Sequence, residues 1–249
     1  MTRFVEDVRV VDYDGPRQVS RLPDGRTILH LRVFDGGRDA DLTASGPRTH
    51  AVFKTVTGVV RTISVELKPG WSTQVLGVPA HQLTDRYVAL EHLWGRAGME
   101  LTEQLVETRS VPEILDRIWH ALAVRADTIV EPASARLARR AVRILETDPE
   151  GVQIGSVAKR LGITPRHLRR AFVESIGIGP KDFARTVRLH RAVNRATSSA
   201  DWGQIATAAG YYDQAHLITD FRDLVGLTPS AYAKHIAVGA RTAASAESA

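Results

Sequence analysis

Apolar residues recur along this chain with two different periods. In the first part they come in short runs with partial two-residue alternation: Thr27 to Phe34 (TILHLRVF), Ala51 to Thr57 (AVFKTVT) and Val60 to Leu67 (VRTISVEL). Runs rich in β-branched and apolar residues predict strands. Turn signals separate them at Pro23-Asp24-Gly25, Asp35-Gly36-Gly37, Ser45-Gly46-Pro47 and Thr57-Gly58, and Lys68-Pro69-Gly70 closes the set. The pattern predicts a small, mostly antiparallel sheet. From Met99 the period lengthens. Met99 to Thr108 is predicted helical. Ser110-Val111-Pro112-Glu113 has the spacing of a capping box at the start of another helix, with Ile114, Leu115, Ile118, Trp119, Leu122 and Ala123 at three- and four-residue steps. Arg125 to Ala135 is the predicted linker. Ser134 to Thr147 then forms a basic amphipathic helix, and Asp148-Pro149-Glu150-Gly151 breaks it.

The remaining chain contains a repeat. Leu168 to Pro180 reads LRRAFVESIGIGP and Leu217 to Pro229 reads LITDFRDLVGLTP, so Leu, Phe, Gly and Pro recur at one spacing. Each copy follows a short apolar helix and a Gly-containing turn, which makes two helix-turn-helix units. In the first, Ile154 to Leu161 carries Val157 and a small Ala158 where two helices cross closely. Gly162 ends that helix, Thr164 can cap the next, and Pro165 suits its first position. Leu168 and Phe172 point inward, which leaves Arg166, His167, Arg169 and Arg170 outward. In the second, Ile205 and Ala206 match Val157 and Ala158, Gly210 ends the helix, and Asp213 can cap the next. Leu217 and Phe221 anchor it, with Gln214, Ala215, His216 and Thr219 outward. Asp220 is expected to place a carboxylate beside Thr219 on that face. Between the units, Lys181 to Ser198 is an amphipathic spacer. Were it to set the outward faces about 34 Å apart, they would meet successive major-groove turns on one side of DNA.

Charge sharpens this picture. Up to Val130 there are 16 basic and 17 acidic side chains; from Glu131 onward, 17 basic and 11 acidic. Gly155 to Arg195 alone holds ten cations against Glu174 and Asp182. Cations clustered beside a helix-turn-helix pattern are the footprint of a polyphosphate partner. Arg suits both jobs at a groove, bridging guanine O6 and N7 or holding phosphate. The second unit is poorer in cations, so the first is expected to dominate affinity.

The motifs of residues 151–235 resemble the DNA-binding domain of the AraC/XylS transcription regulators. The agreement rests on Val157-Ala158, Leu161-Gly162, Leu168, Phe172, Gly177, Pro180, Arg188-Leu189, Ile205-Ala206, Gly210-Tyr211, Phe221, Gly226, Thr228-Pro229 and Tyr232. The resemblance implies sequence-specific binding of double-stranded DNA and control of transcription. It places Arg166, Arg169, Arg170, Gln214, Ala215, His216 and Thr219 at the groove, with the outward His167 and with Arg188 and Arg191 as further DNA-binding candidates. Many relatives carry Arg or Lys where this chain has Thr219. The N-terminal half is similar, through Leu22-Pro23-Asp24-Gly25, Gly46-Pro47, Leu67-Lys68-Pro69-Gly70, Gly77-Val78-Pro79-Ala80 and Leu93-Trp94-Gly95, to a poorly characterised domain of a subset of these regulators. By analogy that domain senses a small molecule or mediates dimerisation. Double-stranded DNA, a small-molecule effector and RNA polymerase are the implied partners, for a monomer or homodimer.

The expected fold is thus an α+β N-terminal domain over residues 1–130, a small antiparallel sheet plus helices. An all-α domain over 131–238 follows, with helix-turn-helix units at about 152–176 and about 202–225 joined by a linker helix at about 180–198. Residues 239–249 are expected to be a disordered tail. With no Cys the chain has neither disulfides nor a nucleophilic thiolate. His30, His50, His81 and His92 show no ligand spacing, and no Walker loop, GxGxxG or GxSxG appears, so no enzyme activity, metal or cofactor is expected. Trp71, Trp94 and Trp119 suit either a core or an effector pocket. No apolar run approaches the length of a membrane span and no secretory signal is evident, so the cytoplasm is the expected location. The alternative is a small-molecule-binding or enzymatic N-terminal domain whose basic module merely localises it on DNA.

Overall fold

The computed structural model describes residues 3–37, 39–108, 110–147, 153–196 and 201–235. The expected break at 148–151, the end of the spacer helix at 197–198 and the tail at 239–249 lie outside them. Five strands form one antiparallel sheet in the order β1 (Val5–Asp12), β6 (Val59–Leu67), β3 (Thr27–Phe34), β4 (Ala40–Ser45), β7 (Tyr87–Ala89). β2 (Arg17–Arg21) and β5 (Val52–Val56) form a separate antiparallel pair.

Alternation gives the large sheet two unlike faces. Leu29 and Leu31 of β3, Leu42 and Ala44 of β4, and Ile63, Val65 and Leu67 of β6 are buried on one face. They pack against α1 (Ser72–Leu76), α2 (Leu90–Trp94), α3 (Arg96–Glu107) and α4 (Val111–Thr128) through Leu76, Leu90, Leu105, Ile118 and Leu122. Each such side chain contributes about 1.5–3 kcal/mol on leaving water. The intervening residues His30, Arg32, Thr43, Thr62 and Ser64 face the other way, toward the β2–β5 pair.

The helical C-terminal domain has two cores. α5 (Ala133–Thr147), α6 (Ile154–Arg160) and α7 (Pro165–Ile176) enclose the first, built on Ala138, Val142, Val157, Ala158, Leu168 and Phe172. α9 (Trp202–Ala209) and α10 (Gln214–Val225) enclose the second, built on Ile205, Ala206, Leu217, Phe221 and Tyr232. Residues 229–235 are again helical. α8 (Pro180–Arg195) serves both cores, with Phe183 and Ala184 in the first and Leu189 and Ala192 in the second.

The structure corrects several expectations. The Ser110 side chain makes no cap hydrogen bond, so the capping box is not formed although the helix is. α4 continues through the expected linker to Thr128 and buries Ala126 in the sheet core, leaving only residues 129–132 between α4 and α5. Trp94 is buried in the sheet core, and Trp71 and Trp119 pack against it. None of the three lines the cavity between the sheets. Among the described residues, no helix is long and apolar enough to cross a membrane.

Candidate nucleic-acid interface

The first unit is assembled from its small and apolar residues. Ala158, fully buried, lets α6 approach α7 beneath Leu168 and Phe172. The Thr164 hydroxyl accepts the His167 amide at 3.2 Å, satisfying one of the unpaired donors that open α7. Once Leu168, Ala171 and Phe172 are turned inward, Arg166, His167, Arg169 and Arg170 are left exposed on the N-terminal half. Among the described residues, none of these three arginines is in an ion pair. They and the positive end of α7 form one cationic surface.

The second unit repeats the geometry with different chemistry. The Asp213 carboxylate accepts the His216 amide at 2.7 Å and caps α10. Leu217 and Phe221 are buried, with Trp202 edge-on to Phe221 at 6.2 Å. Gln214, Ala215, His216 and Thr219 are exposed. The Thr219 hydroxyl donates to the Ala215 carbonyl at 2.9 Å, and the His216 ring stands edge-on to Tyr211 at 5.2 Å.

Two residues, Asp220 and Arg188, sit elsewhere than expected. Asp220 is buried, not beside Thr219 on the outer face: Arg185 meets one of its oxygens at 2.8 Å and Arg188 the other at 3.3 Å. The carboxylates of Asp220 and Asp223 hold the Arg185 guanidinium above its ordinary pKa against the opposing effect of burial. Arg188 accordingly points into the protein, over the Tyr211 ring at 5.2 Å, rather than out to a DNA backbone. Arg191 donates to the Glu146 carbonyl at 2.6 Å near the end of α5. Sequence periodicity could not have found the Asp220 pairing, since its partners lie 35 and 32 positions away.

Residues 157–235 match the family model of a helix-turn-helix domain, and residues 1–89 match that of a domain of unknown function. The carboxy-terminal part is a helix-turn-helix domain of the AraC type. Solved structures similar to the chain include a transcriptional regulator with an AraC-type DNA-binding domain from Chromobacterium violaceum, 26% identical. The match covers 41% of this chain and 92% of that one, with a TM-score of 0.37. Vibrio cholerae ToxT bound to a methylnaphthalenyl-butenoic acid is 10% identical over 92% of this chain and 98% of its own, with a TM-score of 0.48. ToxT bound to an unsaturated fatty acid is 10% identical over 94% and 97%, with a TM-score of 0.46. No curated protein matches the chain.

The N-terminal region also holds a cavity lined by polar and charged groups. Its volume is about 290 Å³, and it lies between the two sheets. Val19, Ile28, Val52 and Val56 supply its apolar wall, and Arg21, His30, Lys54, Ser64 and Tyr87 its polar groups. The His30 ring bonds the Ser64 hydroxyl at 3.0 Å and the Ser45 hydroxyl at 2.8 Å. Burial, with the charges of Arg21, Lys54, Arg32 and Arg48, pushes its pKa down to about 3, so the imidazole is neutral. The Arg48 guanidinium lies 4.4 Å and the Lys54 ammonium 4.7 Å from the Tyr87 ring centre. Those cations outweigh burial, which opposes them, and hold its phenol below the usual value. Sequence reasoning missed this cavity because its lining comes from seven strands, each contributing one to three residues.

Proposed function

We propose that this chain is a sequence-specific double-stranded DNA-binding transcription regulator. In this reading Arg166, His167, Arg169 and Arg170 of α7 provide the stronger groove contact, and Gln214, Ala215, His216 and Thr219 of α10 the weaker. What carries the reading is the equivalence of two exposed helix faces, each left outward by the same buried Leu and Phe four positions apart, in a chain whose cations concentrate around the first. Arg on the first face serves guanine or phosphate, and Gln on the second can read adenine. Arg188 is left out of the contact set because its charge is taken up by Asp220.

The N-terminal region is read as a sensor of a small molecule rather than only a dimerisation unit, because the cavity between the sheets combines an apolar wall with hydrogen-bonding groups. Selection of duplexes from a random pool by the full chain, followed by titration against salt, tests the DNA reading. Recovery of an enriched sequence, bound far more tightly than scrambled duplex at the same ionic strength, is the expected result. Equal affinity for every duplex would favour the reading in which the basic module only localises the protein.

A further inference from the structure

The two helix-turn-helix cores share α8, but α8 is not all that joins them. The loop between β4 and β5 touches both. At one end Pro47 packs on Gly177, which closes α7: a Cβ there would lie 2.8 Å from the proline ring. At the other end the Ala51 amide donates to the Leu224 carbonyl of α10 at 2.8 Å. The Thr84 hydroxyl adds a bond to the Gly177 carbonyl, also at 2.8 Å. Pro47 and Ala51 are four residues apart, a span of at most about 14 Å even when fully extended. One short loop therefore ties the C-terminal ends of both outward-facing helices together.

A second loop pins the first to α8. Gly25 comes so close to Phe183 that a Cβ would stand 2.4 Å from its ring, and His190 bonds the Pro23 carbonyl at 2.9 Å. The loops are joined by reciprocal backbone bonds between Asp24 and Arg48, at 3.0 and 3.1 Å. Arg21 clamps the Asp24 carboxylate with two bonds of 2.9 and 3.0 Å, and the buried Arg48 donates to the Asp85 carbonyl at 3.0 Å.

We propose that these paired loops brace the two helix-turn-helix units, so that the N-terminal region helps set which spacing between two half-sites the protein accepts. The inference rests on α7 and α10 being the reading helices. A single helix between two small cores leaves them free to rock, whereas a second tether removes that freedom and penalises duplexes whose half-sites are displaced. One base pair shifts a half-site by about 3.4 Å and turns it by about 35°. Arg21 also lines the cavity and donates to the Ser45 hydroxyl that His30 bonds, so the brace is connected to the cavity floor.

The test uses the full chain and a duplex selected by it, remade with the half-site separation changed by one and two base pairs. Gly25→Leu drives the second loop from Phe183, and Arg48→Met removes the buried clamp without touching the C-terminal domain. Amide exchange at Ala51, followed by NMR, reports whether the brace has opened. The parent should favour one separation at least tenfold over its neighbours. Each variant should speed Ala51 exchange and reduce that preference below about threefold. Faster exchange with the parent's spacing preference intact overturns the brace, and so does an Ala51 amide as protected in both variants as in the parent. An Arg169→Ala control should lower affinity at every separation alike. A random pool with no enriched sequence would instead overturn the reading helices themselves, and the brace with them.

Discussion

The Arg188 guanidinium meets the Asp220 carboxylate at 3.3 Å, in a pair whose side chains are 16% and 7% exposed. Arg185 holds the other oxygen at 2.8 Å, so two cations of α8 converge on one anion of α10. This fixes the second outward helix against the spacer by charge as well as by Leu217 and Phe221. Asp220→Ala would leave Arg188 without a counter-charge and Arg185 with Asp223 alone. A loss of about 3–5 kcal/mol is expected in denaturant unfolding, with Asp220→Asn costing less because it retains an acceptor.

Arg169 and Arg188 should separate function from stability. Arg169 is exposed and, among the described residues, has no ion pair, so Arg169→Ala should leave the unfolding free energy within about 0.5 kcal/mol of the parent. It should weaken binding of the selected duplex by about 1–3 kcal/mol, measured by titration at fixed salt. Arg188→Ala should do the reverse: lower stability first, with DNA affinity falling only as the second unit loosens. Equal isotherms for Arg169→Ala and the parent would remove α7 from the interface.

The caps and anchors were legible in the sequence because they are local. Thr164 and Asp213 stand immediately before their helices, and Leu168 with Phe172 and Leu217 with Phe221 declare the inward face by spacing alone. β3 and β6 were legible because one face of each is continuously apolar. β1, β2, β4 and β7 were not. β1 is an edge strand carrying Glu6, Asp7 and Arg9, β7 is a three-residue edge, and β2 (RQVSR) has almost no apolar signal. β4 (ADLTAS) is short, and its Leu42 and Ala44 acquire an apolar face only beside β3. The turns Pro23-Asp24-Gly25 and Ser45-Gly46-Pro47 were recognised as turns, but their docking on α8, α7 and α10 depends on partners more than 120 residues away. No local pattern encodes such pairs; the inward turn of Asp220 follows from its place three residues after Leu217 and four before Leu224, but its arginine partners do not.

His30 gives a stability contribution with a defined sign. Its folded-state pKa, about 3, lies below the ordinary histidine value of about 6.5 because burial and the cations Arg21, Lys54, Arg32 and Arg48 disfavour the imidazolium. Below pH about 6.5 the unfolded chain binds a proton that the folded chain refuses, so this contribution is complete above that pH and is lost as the pH falls toward 3. The slope is at most about 1.4 kcal/mol per pH unit, lessened by the open mouth of the cavity. His30→Gln keeps hydrogen-bonding groups beside Ser45 and Ser64 but cannot titrate. Its stability relative to the parent should therefore improve between about pH 7 and pH 5, above the range where Asp and Glu protonate. A constant difference across that window would mean that His30 does not titrate as its surroundings require.

Gly177 and Gly226 form a matched pair that can measure the docking of the N-terminal region. Both close an outward-facing helix in the left-handed conformation, at φ 91° and 76°, and they are equivalent positions of the repeat. An Ala at either carries the same conformational cost, about 1–2 kcal/mol. Their surroundings differ. A Cβ on Gly226 meets nothing within 4 Å, whereas one on Gly177 would lie 2.8 Å from Pro47, 2.8 Å from the Thr84 hydroxyl and 3.0 Å from the Ala80 carbonyl. Gly226→Ala should therefore show the conformational cost alone, and Gly177→Ala that cost plus about 1–3 kcal/mol for forcing the N-terminal loops away. Urea unfolding of both variants gives the difference directly. Gly177→Ala should also release the Ala51 amide to exchange while Gly226→Ala leaves the loop contact at Pro47 intact, and equal destabilisation by the two would mean that the N-terminal loops do not rest on the end of α7.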